Sequence, residues 1–444
     1  MAVSARHWRD SIRPFFTVVV VYCALVWTAI LQDSHQGSEA YDQDHHHIVV
    51  VEQIAASLRG DGGALPLRDL IHDYPSATGP AYHAALAFAR VCGVESLTAL
   101  QFLSSLAGLA LVTTLFWQLA SRMAGWEAAA WTAPLLLSPY FLAGSVWLTT
   151  DVAALALQVG VLAVLIRGAL DARSLLVVAV LTTTAVLVRQ PSIWLLAPIV
   201  ARGLNDATIL RGSWSRSARM AWGSALIIPG ISLGALLFMW GGLVPPSFRA
   251  QHGAGANPAT PAIFLALLGL WGSVWLVVFL ARRGIGASRK LLAVGALLGV
   301  LLALAVPTDY SREAGRWGGP LWSVIHALPS VGGRSILVLM LAAVGGTVLA
   351  ALLHRAVHSV EGRVLGVALV AFVAATTANT QCFERYLDLG ILAFLPLLVL
   401  VGATEERLRP QPSLAFAPPV ALALVQFGLS CAMLAPAFFG ALNR

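Results

Sequence analysis

Charge is what this 444-residue sequence has least of: Asp, Glu, Lys and Arg together make up 11% of it. A soluble domain carries about 25%. With 58% hydrophobic residues, the composition excludes a soluble globular enzyme and a disordered chain alike. Lysine is almost missing, since Lys290 stands alone among 28 basic residues. Together with the abundance of alanine, that bias suggests a GC-rich bacterial genome. Cysteine is scarce too: Cys23, Cys92, Cys382 and Cys431 form no CxxC pair, which argues against a zinc or redox framework. Cys92 and Cys382 both fall between apolar runs, so a pairing between them stays open. Walker A, nucleophile-elbow, HExxH and GxGxxG patterns are also lacking, which argues against nucleotide hydrolysis and intramembrane metalloprotease chemistry.

What is present is a succession of apolar runs of about 20 residues, the mark of an all-α polytopic membrane protein. Thirteen runs stand out, near 14–31, 96–120, 126–146, 150–167, 174–189, 191–204, 220–240, 261–281, 290–306, 335–353, 363–379, 386–403 and 416–439. The first is too long, and lacks the small-residue site, for a cleavable signal peptide. Pro191 either kinks one long helix or separates two short ones. With the N-terminus cytoplasmic, eighteen of the 28 basic residues fall on the inside, from Arg6, Arg9 and Arg13 to Arg407 and Arg409, with Arg211 among them. Every inside connection is basic, as the positive-inside rule requires. The net charge of +7 therefore reports topology rather than nucleic-acid binding. The expected location is a bacterial plasma membrane, with residues 1–444 forming one integral membrane domain.

The first outside segment, 32–95, carries nine acidic residues, beginning at Asp33. Two stretches in it, 44–59 and 79–91, read as amphipathic helices suited to a membrane interface. Gly60, Gly62, Gly63 and Pro66 mark the turn between them. Sorted by side, the unusual polar residues gather outside: Asp42, Asp44, His45, His46, His47, Asp73, Asp151, Arg189, Gln190, Arg249, His252, Glu384 and Arg385. Ionisable groups at a membrane boundary are costly to desolvate, so they usually face a cavity. Asp44 or Asp42 suits a general base towards a hydroxyl, with His46 or His47 nearby. Three consecutive helical histidines point about 100° apart and cannot share one metal ion. Asp73 and Tyr82 suit hydrogen bonds to a sugar, and Asp151 suits either a helix N-cap or a sugar hydroxyl. Arg189 either pairs with Asp151 or binds a phosphate, and Arg385 either pairs with Glu384 or neutralises a leaving phosphate. The 241–252 loop, with Arg249 and His252, is either a connector or a phosphate clamp.

The order of these motifs resembles the GT-C glycosyltransferases, polytopic enzymes that use polyprenyl-phosphate sugars. It is most similar to the dolichyl-phosphate-glucose α-1,2-glucosyltransferases. Their acid-then-His motif after the first span resembles Asp42-Gln43-Asp44-His45-His46. Their Asp-Pro loop with threonines, prolines and Tyr resembles Asp73-Tyr74-Pro75-Ser76-Ala77-Thr78-Gly79-Pro80-Ala81-Tyr82. Leu148-Thr149-Thr150-Asp151, Arg189-Gln190-Pro191-Ser192-Ile193 and Phe383-Glu384-Arg385-Tyr386 follow in the family's order.

The resemblance implies a GT-C-like fold and an inverting, metal-independent transfer of a monosaccharide, with no cofactor. The donor would be a polyprenyl-phosphate (dolichyl-phosphate-like) sugar and the acceptor a hydroxyl of a glycan or lipid-linked glycan, on the extracytoplasmic face. Asp44 or Asp42 would be catalytic. His46, His47, Asp73, Tyr82, Asp151 and Gln190 would bind substrate. Arg189, Arg249, His252, Glu384 and Arg385 would hold the donor phosphate. The alternative is a transporter or flippase for an anionic lipid or solute, although polar residues gathered at one face and the lack of a visible repeat do not favour it.

Overall fold

The computed structural model describes residues 5–32, 37–168, 170–205, 215–250, 252, 255–283, 289–403 and 412–439. Asp33, Arg211, Arg407 and Arg409 lie outside them. The described chain is almost wholly helical, with one two-stranded hairpin, Ser330–Val331 against Arg334–Ser335. It is an integral membrane protein by length and composition. Eight helices are long and apolar enough to cross a bilayer: Arg9–Leu31, Leu97–Ala120, Arg216–Trp240, Thr260–Ala281, Ile336–Ala356, Val360–Thr377, Glu384–Gly402 and Ala415–Ala435. The pair Pro139–Val146 and Thr150–Leu165, bent by 109°, makes a ninth if taken as one span.

The remaining apolar runs form shorter helices, for local reasons. The 126–146 run splits into Gly125–Leu136 and Pro139–Val146 because Pro139 drives Ser138 into extended backbone. Pro191 separates Ala172–Val188 from a 3-10 turn, Gln190–Leu195, that continues into Leu196–Asn205. Between them Arg189 is extended, at φ −143° and ψ 116°.

Close helix packing rests on small residues. Gly345 and Gly346 let Ile336–Ala356 touch the Thr260–Arg283 backbone on one side and Arg289–Ala305 on the other. A Cβ at either glycine would collide with a neighbouring carbonyl. Glu384–Gly402 runs through the middle, with 89% of its apolar window buried inside the protein, whereas only 17% of the Arg216–Trp240 window is buried. The central helix therefore presents its N-terminal residues to whatever covers that end.

The cover is the 38–95 segment. It begins with a short helix, Ser38–Asp42, and a π-helical turn, Gln43–His47. The two amphipathic helices follow, as Ile48–Arg59, capped by left-handed Gly60, and Ala81–Val91. The second starts at Ala81 rather than 79, because Pro80 occupies its N-cap. The two pack together around Val51, Ile54, Ala55, Leu86 and Ala87. All four cysteines are free, with Cys92 exposed and Cys382 buried, so the pairing left open by the sequence is not made.

Candidate functional site

Helical spacing puts Glu39 and Asp42 on one face of their short helix, and that face meets the top of the central helix. Arg385 Nη1 lies 3.6 Å from Glu39 Oε1 and 3.5 Å from Asp42 Oδ2. Its guanidinium also rests against the rings of Phe383 and Tyr386, 5.3 and 5.5 Å from their centroids. Arg189 stands 4.9 Å from the same ring and is ion-paired with Asp151. One tyrosine thus touches two arginines delivered by two different helix ends. The side chains of Glu39, Asp42, Asp151, Arg189 and Arg385 remain 18–33% exposed, so the charges are open to a ligand.

The π-turn is fixed from below by Gln43, which is fully buried. Its Oε1 accepts from Gln101 Nε2 at 2.9 Å and from the backbone N–H of Leu148 at 3.0 Å, a group that the 109° bend frees. Its Nε2 donates to Asp44 at 3.1 Å. π-turns inside helices frequently mark functional sites. Here the turn orients Asp42 towards Arg385 and ties Asp44 to the body of the protein.

The three histidines diverge. His45 stacks on Tyr41, with ring centroids 4.0 Å apart, and His46 meets the same ring edge-on. His47 turns inward, its Nδ1 lying 2.7 Å from His83 Nε2. Among the described residues no group of three or more His, Cys, Asp or Glu side chains is arranged to hold a metal ion. Burial holds His47 well below the usual histidine range, and His83, His46, Arg385 and Arg189 push the same way. His252 is also lowered, by burial first and then by Arg189 and Arg385, with Asp42 opposing. Both imidazoles are therefore neutral neighbours of the arginine pair.

Beside the arginines opens a cleft of about 80 Å³, partly open to the surface. Asp151, Arg189, Arg385, Tyr386 and Asn379 line its mouth, and Gln158, Ser192 and Thr376 lie on its walls. It adjoins a small apolar recess of about 10 Å³ lined by Val159, Leu162, Phe394 and Leu397. Leu155, Gln158, Trp194, Phe372 and Gly390 line both. Charge at one end thus leads directly into hydrocarbon-like surface between membrane helices.

Of the residues singled out from sequence, the structure brings together Asp42, His47, Asp151, Arg189, His252 and Arg385. Asp44 and His46 flank them on the same turn. The others are engaged elsewhere. Asp73 accepts from the backbone N–H of Ser247 at 3.1 Å. The Tyr82 hydroxyl bonds Ser104 at 2.7 Å, and Gln190 donates to Ala77 O at 3.3 Å. Arg249 turns back onto Trp240 O within its own loop. Glu384 makes no local pair with Arg385. It is buried and accepts from Leu321 N at 2.8 Å, at the start of the Pro320–Ala327 helix. Glu39, Gln43, Tyr74, His83 and Tyr386 had no role assigned from sequence. For Glu39 the signal was available, one helical turn before Asp42.

No protein-family model matches the sequence, nor does any curated protein. Among solved structures, the chain is similar to the crystal structure of ArnT from Cupriavidus metallidurans in the apo state. The identity is 15%, over 94% of this chain and 79% of that one, with a TM-score of 0.38. It is likewise similar to the crystal structure of ArnT from the same organism bound to undecaprenyl phosphate, at 14% identity over 98% and 80% of the two chains, with a TM-score of 0.39. Scores at this level are too low to equate the folds.

Proposed function

We propose that this protein is an inverting membrane glycosyltransferase of GT-C type that takes a monosaccharide from a polyprenyl-phosphate donor. The observation that carries this reading is the junction of the arginine pair with the apolar cleft. A ligand matching both ends has an anionic head and a long hydrocarbon tail, and the guanidinium fork suits phosphate. Carboxylates in the same chamber supply what binding a head group alone would not need, a base for the acceptor hydroxyl. The motifs that resemble the dolichyl-phosphate-glucose family also meet in space. Asp151, Arg189 and Arg385 line one cleft, Asp42 pairs with Arg385, and the 73–82 loop is bonded to the Arg189 break through Gly79 N to Val188 O at 3.0 Å. That family's sugar and acceptor are the finer form of the proposal.

In this reading Asp42 or Asp44 takes the proton of the acceptor hydroxyl. The oxygen attacks C1 on the face opposite the phosphate. The C1–O bond breaks with its electron pair passing to the phosphate oxygen, and configuration inverts. Arg189 and Arg385 hold the departing phosphate, so the chain's own cations do the neutralising and no metal enters the scheme. The chamber faces the extracytoplasmic side of a bacterial plasma membrane, as the distribution of arginine implies.

The test is turnover by purified protein of a radiolabelled polyprenyl-phosphate sugar, with a glycan or lipid-linked glycan as acceptor. Transfer is expected in the wild type and is lost in Asp42→Asn or Asp44→Asn that still folds. Binding of the lipid without turnover would favour the transporter reading instead. Full activity in both variants would remove these acids from the mechanism.

A further inference from the structure

Behind the π-turn lies a hydrogen-bonded chain of three side chains that the scheme above does not use. The Tyr74 hydroxyl is 2.6 Å from His83 Nδ1, and His83 Nε2 is 2.7 Å from His47 Nδ1. Tyr74 and His83 are both fully buried. The Tyr74 ring lies nearly parallel to that of Trp240, with centroids 6.2 Å apart, and the His83 and His47 rings, 19° from parallel, meet along their bonded edges with centroids 5.0 Å apart. Each element of the chain comes from a different local structure: a turn, the Ala81–Val91 helix and the π-turn.

The proton order follows from satisfaction of buried groups. A buried phenol keeps its O–H and must donate it, and His83 Nδ1 is its partner. His83 then carries its own proton on Nε2 and donates it to His47 Nδ1. His47 is left with its proton on Nε2, on the ring edge turned away from His83. Which ring nitrogen is protonated is set by the bond that the other makes. Resting on the function proposed above, the geometry points to Tyr74 and His83 as positioning residues that lock His47 into a neutral N–H donor for the lipid phosphate held by Arg189 and Arg385. His47 is thus a binding group and not the base, a role left to the carboxylates.

The groups facing His47 are His46 on its own turn, His83 on the neighbouring helix, and Arg385 and Arg189 across the chamber. All are cations or potential cations and keep the ring uncharged. The burial that lowers His83, to about 3, keeps it neutral as well. The carbonyl of Gly79 also approaches His83, and it makes the order reversible. Without the tyrosine hydroxyl, His83 can place its proton on Nδ1 towards Gly79 O. The chain then runs backwards, and His47 presents a bare lone pair on Nε2 to an anion.

Two measurements test this. Nitrogen-15 spectra of histidine-labelled protein, taken with no ligand, read the His47 tautomer: proton on Nε2 in the wild type and on Nδ1 in Tyr74→Phe. A wild-type proton on Nδ1 overturns the proposal. Titration with polyprenyl phosphate in detergent micelles is expected to show binding weakened about tenfold or more in Tyr74→Phe, the size of one hydrogen bond to a charged group. His47→Ala, which has neither a donor nor a tautomer to choose, is expected to bind about as weakly as Tyr74→Phe. In that background Tyr74→Phe is expected to cost nothing further, a coupling that a packing role would not produce. An equal cost of Tyr74→Phe in both backgrounds contradicts the positioning role. If the wild type fails to bind polyprenyl phosphate, the functional reading falls, and the spectra alone decide the tautomer.

Discussion

Two charged sites sit one turn apart on the Glu384–Gly402 helix and are built in opposite ways. Asp388 is buried, and its oxygens accept from Ser138 Oγ at 3.1 Å and Trp271 Nε1 at 2.8 Å. Glu384, on the same face, takes the Leu321 N–H. These carboxylates have dedicated donors from neighbouring helices. Arg385 has no such arrangement. Its partners, Glu39 and Asp42, come from a distant segment at 3.5–3.6 Å, all three groups are partly exposed, and a cleft opens beside them. The difference teaches how to separate a buried acid that holds helices together from a charge that waits for a ligand. The first is enclosed by short hydrogen bonds, and the second is held by longer, exchangeable ion pairs next to free volume.

The sharpest way to break that contrast is to remove one charge of each kind. Arg385→Ala is expected to cut turnover by about 10²–10³-fold, the usual cost of one group stabilising developing negative charge, with little change in melting temperature. Asp388→Ala is expected to do the reverse. It strands a buried hydroxyl and an indole N–H, each costing about 1–3 kcal/mol. Its signature is a lowered melting midpoint with near-normal activity in the protein that stays folded. If both variants lost activity and stability alike, the distinction would fail.

A smaller effect is expected where the two kinds of region are joined. Gln43→Ala removes the anchor that ties the π-turn to Gln101 and Leu148. Activity is expected to drop about tenfold through misplacement of Asp42, and Gln101→Ala, which removes only one of the two donors to Gln43 Oε1, should cost less.

The most gradual effect is on pH. His83 is neutral when folded, with its value lowered to about 3 against 6.5 unfolded. The unfolded chain therefore binds the extra proton first as pH falls. Stability from this residue is complete above about pH 6.5 and declines towards pH 3, by at most about 1.4 kcal/mol per pH unit. Melting curves in detergent should show that decline, and His83→Gln should flatten it.

Much of the architecture was legible because bilayer-spanning helices announce themselves by length and apolarity, and because Pro191 marks the break at Arg189. The two amphipathic helices of the 38–95 segment were legible for the same reason, through their periodicity. The candidate site was only half legible. Asp42, Arg189 and Arg385 stand out because charge at a span edge is costly, whatever the tertiary structure. What escaped was pairing at long range. The sequence invites Arg385 to pair with its neighbour Glu384, but the helix points Glu384 at Leu321 N and leaves Arg385 to carboxylates more than 340 residues away. Gln43 and His83 look like ordinary polar residues until burial shows what they bond. The 126–146 run read as one span because a single proline does not tell by itself how sharply the chain turns after it.

The central claim is that Asp42, Arg189 and Arg385 form one anion site at the head of an apolar cleft. The most direct test is a structure of the protein with polyprenyl phosphate bound. The account predicts the phosphate within hydrogen-bonding distance of both Arg189 and Arg385, and the first isoprene units in the cleft that Leu155, Trp194 and Phe372 line. A phosphate seated instead on Arg249, or a lipid tail outside the 155–194–372 cleft, would contradict it.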